Sequence, residues 1–253
     1  MSIAAPSRRR RRLDLVLVER GLAGSRARAQ DLIRRGLVTV AGTVETKAGA
    51  TVMPGADVQV TAGADHHVSR GALKLTAALN HFQFLVPGVV ALDVGASTGG
   101  FTQVLLERGA ARVYAVDVGH GQLHARLAQD PRVVSFERCD ARSLDRTRIA
   151  DPVGAIVADI SFISLTKALP AALALAAERA WLVALIKPQF EAGRAAVGRG
   201  GIVRDAEDRA RAVAQVRDWV ASLAGWHVAG VIPSPIAGGS GNQEFLLGAT
   251  RGG

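Results

Sequence analysis

Seven short apolar segments follow one another between residues 89 and 248, and this alternation is what most constrains the fold. The segments are 89–94, 112–117, 132–137, 155–159, 181–186, 227–232 and 244–248. Stretches with helical character separate the earlier ones, for example 101–109 and 121–130, and a further helix is predicted over 69–82 with Ser69 as its N-cap. Strands that are almost continuously apolar and alternate with helices are typical of a mostly parallel sheet covered on both faces. The sequence therefore predicts an α/β domain over residues 69–253 that binds its ligands beyond the carboxyl ends of the strands.

The pattern before residue 69 is different. Segment 13–22 is apolar at helical spacing and ends in a glycine and a leucine, and segment 25–36 begins with Ser25 as an N-cap and stops at Gly36. Residues 37–60 then alternate valines with turn residues, as a small strand region would. We therefore expect a basic arm over 1–12, a small α+β domain over 13–60 and a polar linker over 61–68.

Positive charge is concentrated in this N-terminal region. The chain has a formal net charge of +9, and its first 35 residues contain ten arginines but only three acidic residues. A polyanion such as RNA is the expected partner, because displaced counterions supply affinity that does not depend on sequence. A helical hairpin with a charged, solvated face is the plain structural alternative. The candidate RNA-binding residues are Arg8, Arg9, Arg10, Arg11, Arg12, Arg20, Arg26, Arg28, Arg34, Arg35 and Arg70.

Other features argue against several classes of protein. Cys139 is the only cysteine, so no internal disulfide can form, and a reducing compartment is expected. His66 and His67 are adjacent in the linker without further ligands nearby, so no metal site is predicted. Charged residues interrupt the apolar stretch near the start, so we expect neither a signal peptide nor a membrane span there. We expect a cytoplasmic protein with no membrane partner; the sequence leaves its oligomeric state, monomer or homodimer, open.

A glycine-rich loop follows the first strand of the predicted sheet, in the segment ALDVGASTGGFT at residues 91–102. Missing side chains at Gly95, Gly99 and Gly100 let backbone amides approach a ligand at the start of the next helix. Asp117 lies 22 residues after Gly95, where a carboxylate can accept both hydroxyls of a ribose, and Asp140 is expected to end the third strand in the same layer.

Two kinds of cofactor could use such a loop. A dinucleotide site favours Gly-x-Gly-x-x-Gly, but the third position here is Ser97. The segment LDVGASTGGFT instead resembles the first motif of S-adenosylmethionine-dependent methyltransferases, which implies a Rossmann-like fold and a loop that faces a methionine moiety. The candidate cofactor-binding residues are Asp93, Gly95, Ala96, Ser97, Thr98, Gly99, Gly100, Phe101, Thr102, Asp117, Val118, Asp140, Ala141 and Asp159.

Lysine is rare in this chain, with 27 arginines and only four lysines. An amine can lose its proton where a guanidinium cannot, so some of the lysines are candidates for chemistry, although chance retention suffices for Lys47 and Lys167. Lys187 precedes Pro188 at the end of a predicted strand, and Asp159 ends the preceding strand. Both side chains should therefore lie at the same rim as the glycine loop.

The segment ERGLAGSRARAQDLIRRGLVTVAGTV is similar to the S4-like RNA-binding motif shared by a ribosomal protein and many pseudouridine synthases. The segments SRGALKL, VADISFISL, IKPQFE and GGSGNQEF resemble those of the FtsJ-like RNA 2′-O-methyltransferases, and within them the TlyA family. This resemblance covers nearly the whole chain. It implies a tetrad around the ribose hydroxyl formed by Lys74, Asp159, Lys187 and Glu244, with Lys187 stabilising the developing alkoxide or accepting its proton.

The expected function is therefore transfer of a methyl group from S-adenosylmethionine to a cytidine 2′-hydroxyl of ribosomal RNA in a ribosomal subunit. The 23S RNA is the expected target; the 16S RNA is a weaker one, since the chain stops soon after its last strand whereas some relatives continue. An RNA-binding assembly factor with an inactive methyltransferase domain is one alternative, and a membrane-active haemolysin, a name that some family members carry, is another. Segment 190–205 contains glycines and three arginines, and is either a lid that contacts RNA or an ordinary surface loop.

Overall fold

The computed structural model describes residues 10–34, 36–60, 67–238 and 241–252. The chain divides into two compact units, Met1–His67 and Val68–Gly253. Arg8, Arg9 and Arg35, most of the predicted basic arm and residues 61–66 of the predicted linker lie outside the described residues. Within the described ranges, no helix is long and apolar enough to cross a membrane.

The first unit is the small α+β unit that the sequence predicts. Its two helices pack around Leu13, Leu17, Leu32 and Ile33, whose side chains are fully buried. Ser25 accepts a hydrogen bond from the backbone N–H of Arg28 at 3.2 Å, as expected of an N-cap. The elements are β1 (Arg11–Arg12), α1 (Leu13–Glu19), α2 (Arg26–Arg34), β2 (Val38–Val40), β3 (Thr43–Val44), β4 (Thr51–Val52) and β5 (Val58–Val60). Strand β2 lies between β3 and β5, and β1 pairs with β4.

The second unit contains the larger sheet, and every one of the predicted strands is present in it. Its helices are α3 (Gly71–Phe82), α4 (Gly100–Glu107), α5 (Ala125–Ala128), α6 (Leu165–Ala168), α7 (Pro170–Ala174), α8 (Pro188–Glu191) and α9 (Ala206–Ser222). Its strands are β6 (Val90–Val94), β7 (Arg112–Val116), β8 (Val133–Phe136), β9 (Val153–Ala158), β10 (Ala176–Ile186), β11 (Trp226–Pro233) and β12 (Phe245–Arg251). Short 3₁₀ turns are formed by Ala141–Ser143 and Arg194–Ala196.

Among the described residues these strands form one seven-stranded sheet in the order β11-β12-β10-β9-β6-β7-β8. The five strands β10, β9, β6, β7 and β8 run parallel to one another, whereas β12 is antiparallel to both β10 and β11. Alternate side chains pack into two buried layers, so that Leu92 of β6 joins one layer and Ala91 the other. The predicted fold class, a Rossmann-like α/β unit with a mostly parallel sheet, is confirmed.

Three local predictions need correction. The helix predicted over 121–130 is a single turn, α5, which is followed closely by Pro131. Strand β10 begins at Ala176, five residues earlier than predicted. Strand β8 ends at Phe136, so Asp140 does not end a strand but begins the 3₁₀ turn that follows, by accepting a hydrogen bond from the backbone N–H of Arg142.

Helix α9 was not assigned from the sequence, although it is the longest helix among the described residues. Asp205 caps its first turn by accepting hydrogen bonds from the backbone N–H groups of Glu207 and Asp208 at 2.8 and 2.9 Å. The helix buries Val216 and Val220 against the sheet. An Asp cap with acidic residues in the first turn was present in the sequence and could have located this helix.

Candidate active site

Neighbouring strands deliver three of the predicted catalytic side chains to one edge of the sheet. Ile186 of β10 pairs with Phe245 of the antiparallel strand β12, so the next residue along β10 and the one before β12 leave the sheet together. These two residues are Lys187 and Glu244. Strand β9 lies on the other side of β10 and ends immediately before Asp159. The sheet register therefore brings together side chains that are distant in the sequence.

The charged atoms of the predicted tetrad are close to one another. Lys187 Nζ lies 2.5 Å from Asp159 Oδ1, and Lys74 Nζ donates to Glu244 Oε2 at 2.6 Å. Asp159 Oδ2 lies 4.0 Å from Lys74 Nζ, so the Asp159 carboxylate lies between the two amines. Lys74, Lys187 and Glu244 are buried, whereas the Asp159 side chain keeps 23% of its exposure. Paired opposite charges compensate the desolvation that burial costs each of them.

Lys74 comes from helix α3 rather than from the sheet. It is one of the buried residues of that helix, together with Leu75 and Leu79. Ser69 lies just before the helix and accepts a hydrogen bond from the backbone N–H of Gly71 at 3.2 Å. The N-cap is Arg70 rather than Ser69, so the predicted cap was wrong by one residue, and the helix begins at Gly71 rather than at 69.

Glu244 is fixed by close backbone packing. A side chain at Gly238 would collide with the Glu244 carboxylate. Gly238 also donates a backbone hydrogen bond to the carbonyl of Asn242 at 2.9 Å, which closes the turn ahead of β12. The glycine at this position therefore makes room for the acid that holds Lys74.

Ser161 belongs to the site, although sequence analysis gave it no role. Lys187 Nζ donates to Ser161 Oγ at 2.9 Å, in addition to its contact with Asp159. An ammonium group has three N–H donors, so two of them are engaged and one remains for a substrate oxygen. The segment VADISFISL pointed to this region, but spacing alone does not show which of its serines faces the amine.

Glu191 is a second buried acid near the site that sequence analysis left without a role. Its two carboxylate oxygens accept hydrogen bonds from Ser164 Oγ at 2.6 Å and from the backbone N–H of Leu165 at 2.9 Å. Burial raises the pKa of the Glu191 carboxyl above its ordinary value. Glu191 ends helix α8, which begins directly after Lys187, so it ties the Lys187 segment to the loop that follows Asp159.

The glycines of the loop after β6 make room for the protein's own backbone. Gly95 has φ +84°, and a Cβ there would lie 2.6 Å from the carbonyl oxygen of Asp159. At Gly100, a Cβ would collide with Ser69 Oγ and lie 3.0 Å from the backbone nitrogen of Ala72. The bare backbone thus lets the catalytic loop and helix α3 come close. The backbone amides of Gly95, Ala96 and Gly99 donate to carbonyls within the chain rather than toward a ligand.

Two cavities adjoin this loop. The larger has a volume of about 590 Å³ and the smaller about 250 Å³, and Gly95, Ser97, Asp159 and Ser161 line both. The larger cavity is also lined by Asp117, Val118, Asp140 and Ala141, and the smaller by Ala96, Thr98, Gly100, Phe101 and Lys187. Asp93, Gly99 and Thr102, which were also predicted to bind cofactor, line neither of these two cavities. Asp93 and Thr102 are completely buried, and a Cβ at Gly99 would collide with Leu123 and Leu127.

Asp117 and Asp140 line the larger cavity, and each carboxylate already accepts hydrogen bonds from groups of the protein. Asp117 accepts hydrogen bonds from the backbone N–H groups of Ser97 at 2.8 Å and Gly119 at 2.7 Å. The Arg142 guanidinium binds the Asp140 carboxylate and holds the pKa of that acid below its ordinary value. Each oxygen of an ionised carboxylate has two lone pairs, so both acids can still accept from a ligand.

Asp93 supports the loop from beneath. It is completely buried at β6, and Thr102 Oγ1 donates to its Oδ2 at 2.6 Å, which ties the strand to helix α4. Its Oδ1 has no hydrogen-bond partner among the described residues. Burial raises the pKa of Asp93 to about 7, and the negative charges of Asp159 and Asp117 add to this effect.

Two arginines of the first unit bind one buried acid, Asp14. Arg12 binds the Asp14 carboxylate through Nε and Nη2 at 3.0 and 2.9 Å, and Arg26 Nε and Gln30 Nε2 donate to the same group at 3.0 and 2.7 Å. These contacts, the Arg12 hydrogen bond above all, hold the pKa of Asp14 well below its ordinary range. The heads of Arg12 and Arg26 remain exposed to solvent.

The other arginines that were predicted to bind RNA differ in their contacts and exposure. Arg20 donates to the backbone carbonyls of Pro54 and Ala56, and Arg11 pairs with Glu19. Arg28 pairs with Asp31 at 3.2 Å. Arg10 and Arg34 are exposed in the first unit, and Arg70 is partly buried in the second.

No group of three or more His, Cys, Asp or Glu side chains that could hold a metal ion occurs in the described part of the chain. Cys139 is buried, with its sulfur 3.1 Å from a guanidinium nitrogen of Arg148. In the segment predicted as a lid or surface loop, Arg194 begins a 3₁₀ turn, and Arg199 and Arg204 are exposed.

Comparison with known proteins identifies relatives for both units. The family model for FtsJ-like methyltransferases matches residues 67–251, and the model for the S4 domain matches residues 11–58. The 16S/23S rRNA (cytidine-2′-O)-methyltransferase TlyA of Mycobacterium tuberculosis is 49% identical over 240 residues, covering 94% of this chain and 89% of the relative. Hemolysin A of Brachyspira hyodysenteriae is 39% identical, covering 93% and 98%. A solved structure from Streptococcus thermophilus that carries the hemolysin name is 37% identical, with a TM-score of 0.73, covering 97% of this chain and 90% of that one.

Proposed function

The chain belongs to the TlyA family of FtsJ-like methyltransferases, and we propose that it transfers a methyl group from S-adenosylmethionine to the 2′-hydroxyl of a cytidine in ribosomal RNA. The observation that carries the proposal is the convergence of Lys74, Asp159, Lys187 and Glu244 beside the cavities at the glycine loop.

The residues around the larger cavity fit S-adenosylmethionine. Its volume of about 590 Å³ is typical of a small-molecule site. Three carboxylates and one guanidinium line it, from Asp117, Asp140, Asp159 and Arg142. An excess of negative charge favours a cationic ligand and opposes the pyrophosphate of a dinucleotide, which was the alternative left open by the glycine loop. When bound, S-adenosylmethionine supplies a methyl group that its sulfonium charge already activates.

We assign the cofactor contacts as follows. Asp117 would hold the ribose hydroxyls of the cofactor, and Asp140 with Ala141 and Val118 would hold its base. The backbone of Gly95 to Ser97, together with Asp159, would hold the methionine end near the tetrad. Asp93 and Thr102 would keep the loop in place from behind.

Lys187 is the residue that we place on the reacting hydroxyl. Asp159 and Ser161 hold two of its three N–H donors, which directs the third at the substrate oxygen. That donor stabilises negative charge as it develops on O2′, and because the site is formed before substrate arrives, little reorganisation is needed. The proton of the hydroxyl passes to the Asp159 carboxylate and from there to solvent, because the Lys187 ammonium has no lone pair to accept it.

Lys74 and Glu244 position this pair. Glu244 compensates the charge of Lys74, and Lys74 in turn faces Oδ2 of Asp159. The Asp159 carboxylate is thereby oriented with its Oδ1 atom toward Lys187. In-line displacement at a methyl group depends strongly on alignment, so a tetrad fixed in this way can supply much of the acceleration.

The first unit supplies the RNA-binding surface in this proposal. Arg12 and Arg26 are held with their guanidinium groups exposed, and pre-organised guanidiniums bind phosphate with little further loss of side-chain entropy. The S4 match over residues 11–58 supports the same role. An inactive RNA-binding factor would not need the buried ion pairs of the second unit.

The test is direct. Purified protein is incubated with ribosomal subunits from a strain that lacks the corresponding gene, together with methyl-labelled S-adenosylmethionine. Nuclease digestion and mass spectrometry then identify the modified nucleoside. We expect 2′-O-methylcytidine in 23S RNA, and the 16S RNA is assayed in parallel. Absence of label in both RNAs, with leakage of liposomes by the same protein, would favour the haemolysin alternative instead.

A further inference from the structure

Another cavity lies beside the tetrad and is lined by none of its four residues. It has a volume of about 630 Å³. We call it the outer pocket, and it is lined by Phe162, Ile163, Ser164, Lys167, Gln189, Phe190, Gly193, Arg194 and Val197. Phe162 and Ile163 also line the larger cavity at the glycine loop, so the two spaces share a wall. Whatever binds in the outer pocket therefore lies next to the reacting centre.

Two aromatic rings meet at this wall. The centroids of Phe162 and Phe190 lie 5.2 Å apart with their planes inclined by 50°. Phe162 is 91% exposed and has a positive φ of 67°. Exposure of the apolar ring to water and the left-handed backbone conformation are both unfavourable, so the position of Phe162 calls for a functional reason. Exposed aromatic faces of this kind are suited to stacking on a nucleobase.

The polar groups of the outer pocket fit the rest of a nucleotide. Gln189 Oε1 is buried without a hydrogen-bond partner in the described part of the chain. A carboxamide can both donate and accept, so it matches the edge of a base. Lys167 and Arg194 line the same pocket, and neither forms an ion pair with a carboxylate of the described residues. Two uncompensated cations beside an aromatic face attract a phosphodiester.

We propose that the outer pocket binds a nucleotide adjacent to the one that is methylated. This inference rests on the proposed function, because it takes RNA as the substrate. The reacting ribose must lie at Lys187 and Asp159, which line the cavities at the glycine loop and not the outer pocket. In this assignment the outer pocket receives the neighbouring unit of the RNA chain, with its base against Phe190 and its phosphate near Lys167 and Arg194. Such a subsite selects single-stranded or splayed RNA, since a base in a helix cannot reach it.

The kinetic test uses ribosomal subunits from a strain lacking the gene. We expect kcat/KM to fall about tenfold or more in Phe190→Leu and in the double variant Lys167→Ala/Arg194→Ala, as loss of one stacked base or two phosphate contacts would cause. Phe190→Trp should restore activity, because it keeps an aromatic face. Affinity for S-adenosylhomocysteine, measured by calorimetry, should change less than twofold in all of them.

Matched controls come from the same unit. Leu85→Ala removes an exposed apolar side chain, and Arg179→Ala removes an exposed cation at the far end of strand β10. Both should behave as wild type. The salt dependence of subunit binding gives a second readout, because the double variant should lower the slope of log Kd against log salt by about 1 to 2. If the pocket variants match the controls in both measurements, the inference is wrong.

A probe independent of methyl transfer separates this inference from the proposed function. The methyl groups of valine are labelled with ¹³C, and a methyl resonance of Val197 is assigned by Val197→Ile. Val197 lines the outer pocket but neither cavity at the glycine loop. In the presence of saturating S-adenosylhomocysteine, the dinucleotide cytidylyl-(3′→5′)-cytidine should shift this resonance, and Phe190→Leu should abolish the shift. Cytidine alone should leave it unchanged. A shift with cytidine as large as that with the dinucleotide would overturn the assignment to an adjacent nucleotide, even if wild-type protein methylates RNA.

Discussion

Lys187 Nζ lies 2.5 Å from Asp159 Oδ1, and this ion pair joins the ends of two adjacent parallel strands. The other oxygen of Asp159 faces Lys74 at 4.0 Å, and Lys74 is held by Glu244. Negative charge thus alternates with positive charge along the whole cluster. A substitution of any one member leaves a buried or half-buried charge without its partner. Because the members are coupled, the catalytic role of one residue is best tested with variants that keep the shape of its side chain.

Lys187→Ala should reduce kcat for methyl transfer by at least about 100-fold, because it removes the donor that stabilises the developing charge on O2′. Lys187→Met, which keeps most of the side-chain length, should be equally inactive. Donor titration of the purified variants, followed by measurement of tritium transfer to rRNA, checks both statements. Affinity for S-adenosylmethionine should stay within about threefold of wild type. Substantial turnover by Lys187→Met would show that the amine is not required.

Gly238→Ala should lower activity although it replaces no charged residue. The new methyl group would collide with the Glu244 carboxylate and displace it from Lys74. We expect kcat to fall about tenfold or more, while donor affinity stays unchanged. Gly154→Ala is the matched control, since a Cβ there meets only ordinary contacts of 3.6 Å or more and the position lies at the start of β9. Equal activity of the two variants would mean that the placement of Glu244 does not matter for turnover.

Glu191→Ala should lower kcat because it releases the loop after Asp159 from helix α8. The variant loses the hydrogen bonds to Ser164 and to the backbone of Leu165. Glu191→Gln should keep most of the activity, since a carboxamide can accept from the backbone N–H and donate to the hydroxyl. Steady-state kinetics of the two variants checks this positioning role. The assay temperature is kept well below the melting temperature of both variants, so that both are folded. If Gln is as damaging as Ala, the carboxylate has a role beyond holding the loop.

The sequence predicted the sheet well because its strands are buried on both faces and their apolar character is nearly continuous. It also placed Lys187 and Asp159 on one rim, since residues that end neighbouring parallel strands must emerge at the same edge. Lys74 and Glu244 were located by the family resemblance. No local pattern shows that a helix and an antiparallel strand will bring these two side chains to the same rim as Lys187 and Asp159.

What the sequence did not predict depends on packing between distant segments. The contacts of Ser161 and Glu191 are made by loops whose course follows from tertiary structure. The glycine at position 95 was interpreted as an opening toward a ligand, but the structure shows that the backbone of Asp159 also occupies the space where its Cβ would lie. One sequence signal can therefore serve two physical demands, and spacing alone does not separate them.

Asp93→Asn should change how the stability of the second unit depends on pH. The pKa of Asp93 is raised to about 7 in the folded unit, from an ordinary value of 3.8. Between about pH 4 and pH 7 the unfolded chain loses this proton while the folded unit keeps it, so the free energy of unfolding falls as pH rises through that window. The slope contributed is at most about 1.4 kcal/mol per pH unit.

The Asn variant lacks this titration, so its free energy of unfolding should decrease less than that of wild type from pH 5 to pH 7. Urea unfolding followed by tryptophan fluorescence measures it, because Trp181, Trp219 and Trp226 all belong to the second unit. Asp130→Asn is the control, an acid of the same unit whose pKa is lowered by Arg132 rather than raised by burial. Parallel pH profiles for wild type and Asp93→Asn would contradict the prediction.

Asp14→Ala should weaken the binding of rRNA although Asp14 is completely buried and cannot contact RNA itself. Arg12 and Arg26 would lose the carboxylate that orients them, so binding a phosphate would cost more side-chain entropy. We expect Kd for rRNA in a filter-binding assay to rise about three- to tenfold, with donor affinity in the second unit unchanged. Asp57→Asn, a less buried acid of the same unit, serves as the control. Hydrogen exchange of residues 13–34 shows whether the helices remain folded. If they do and Kd matches the control, the buried acid stabilises the unit without positioning its arginines for RNA.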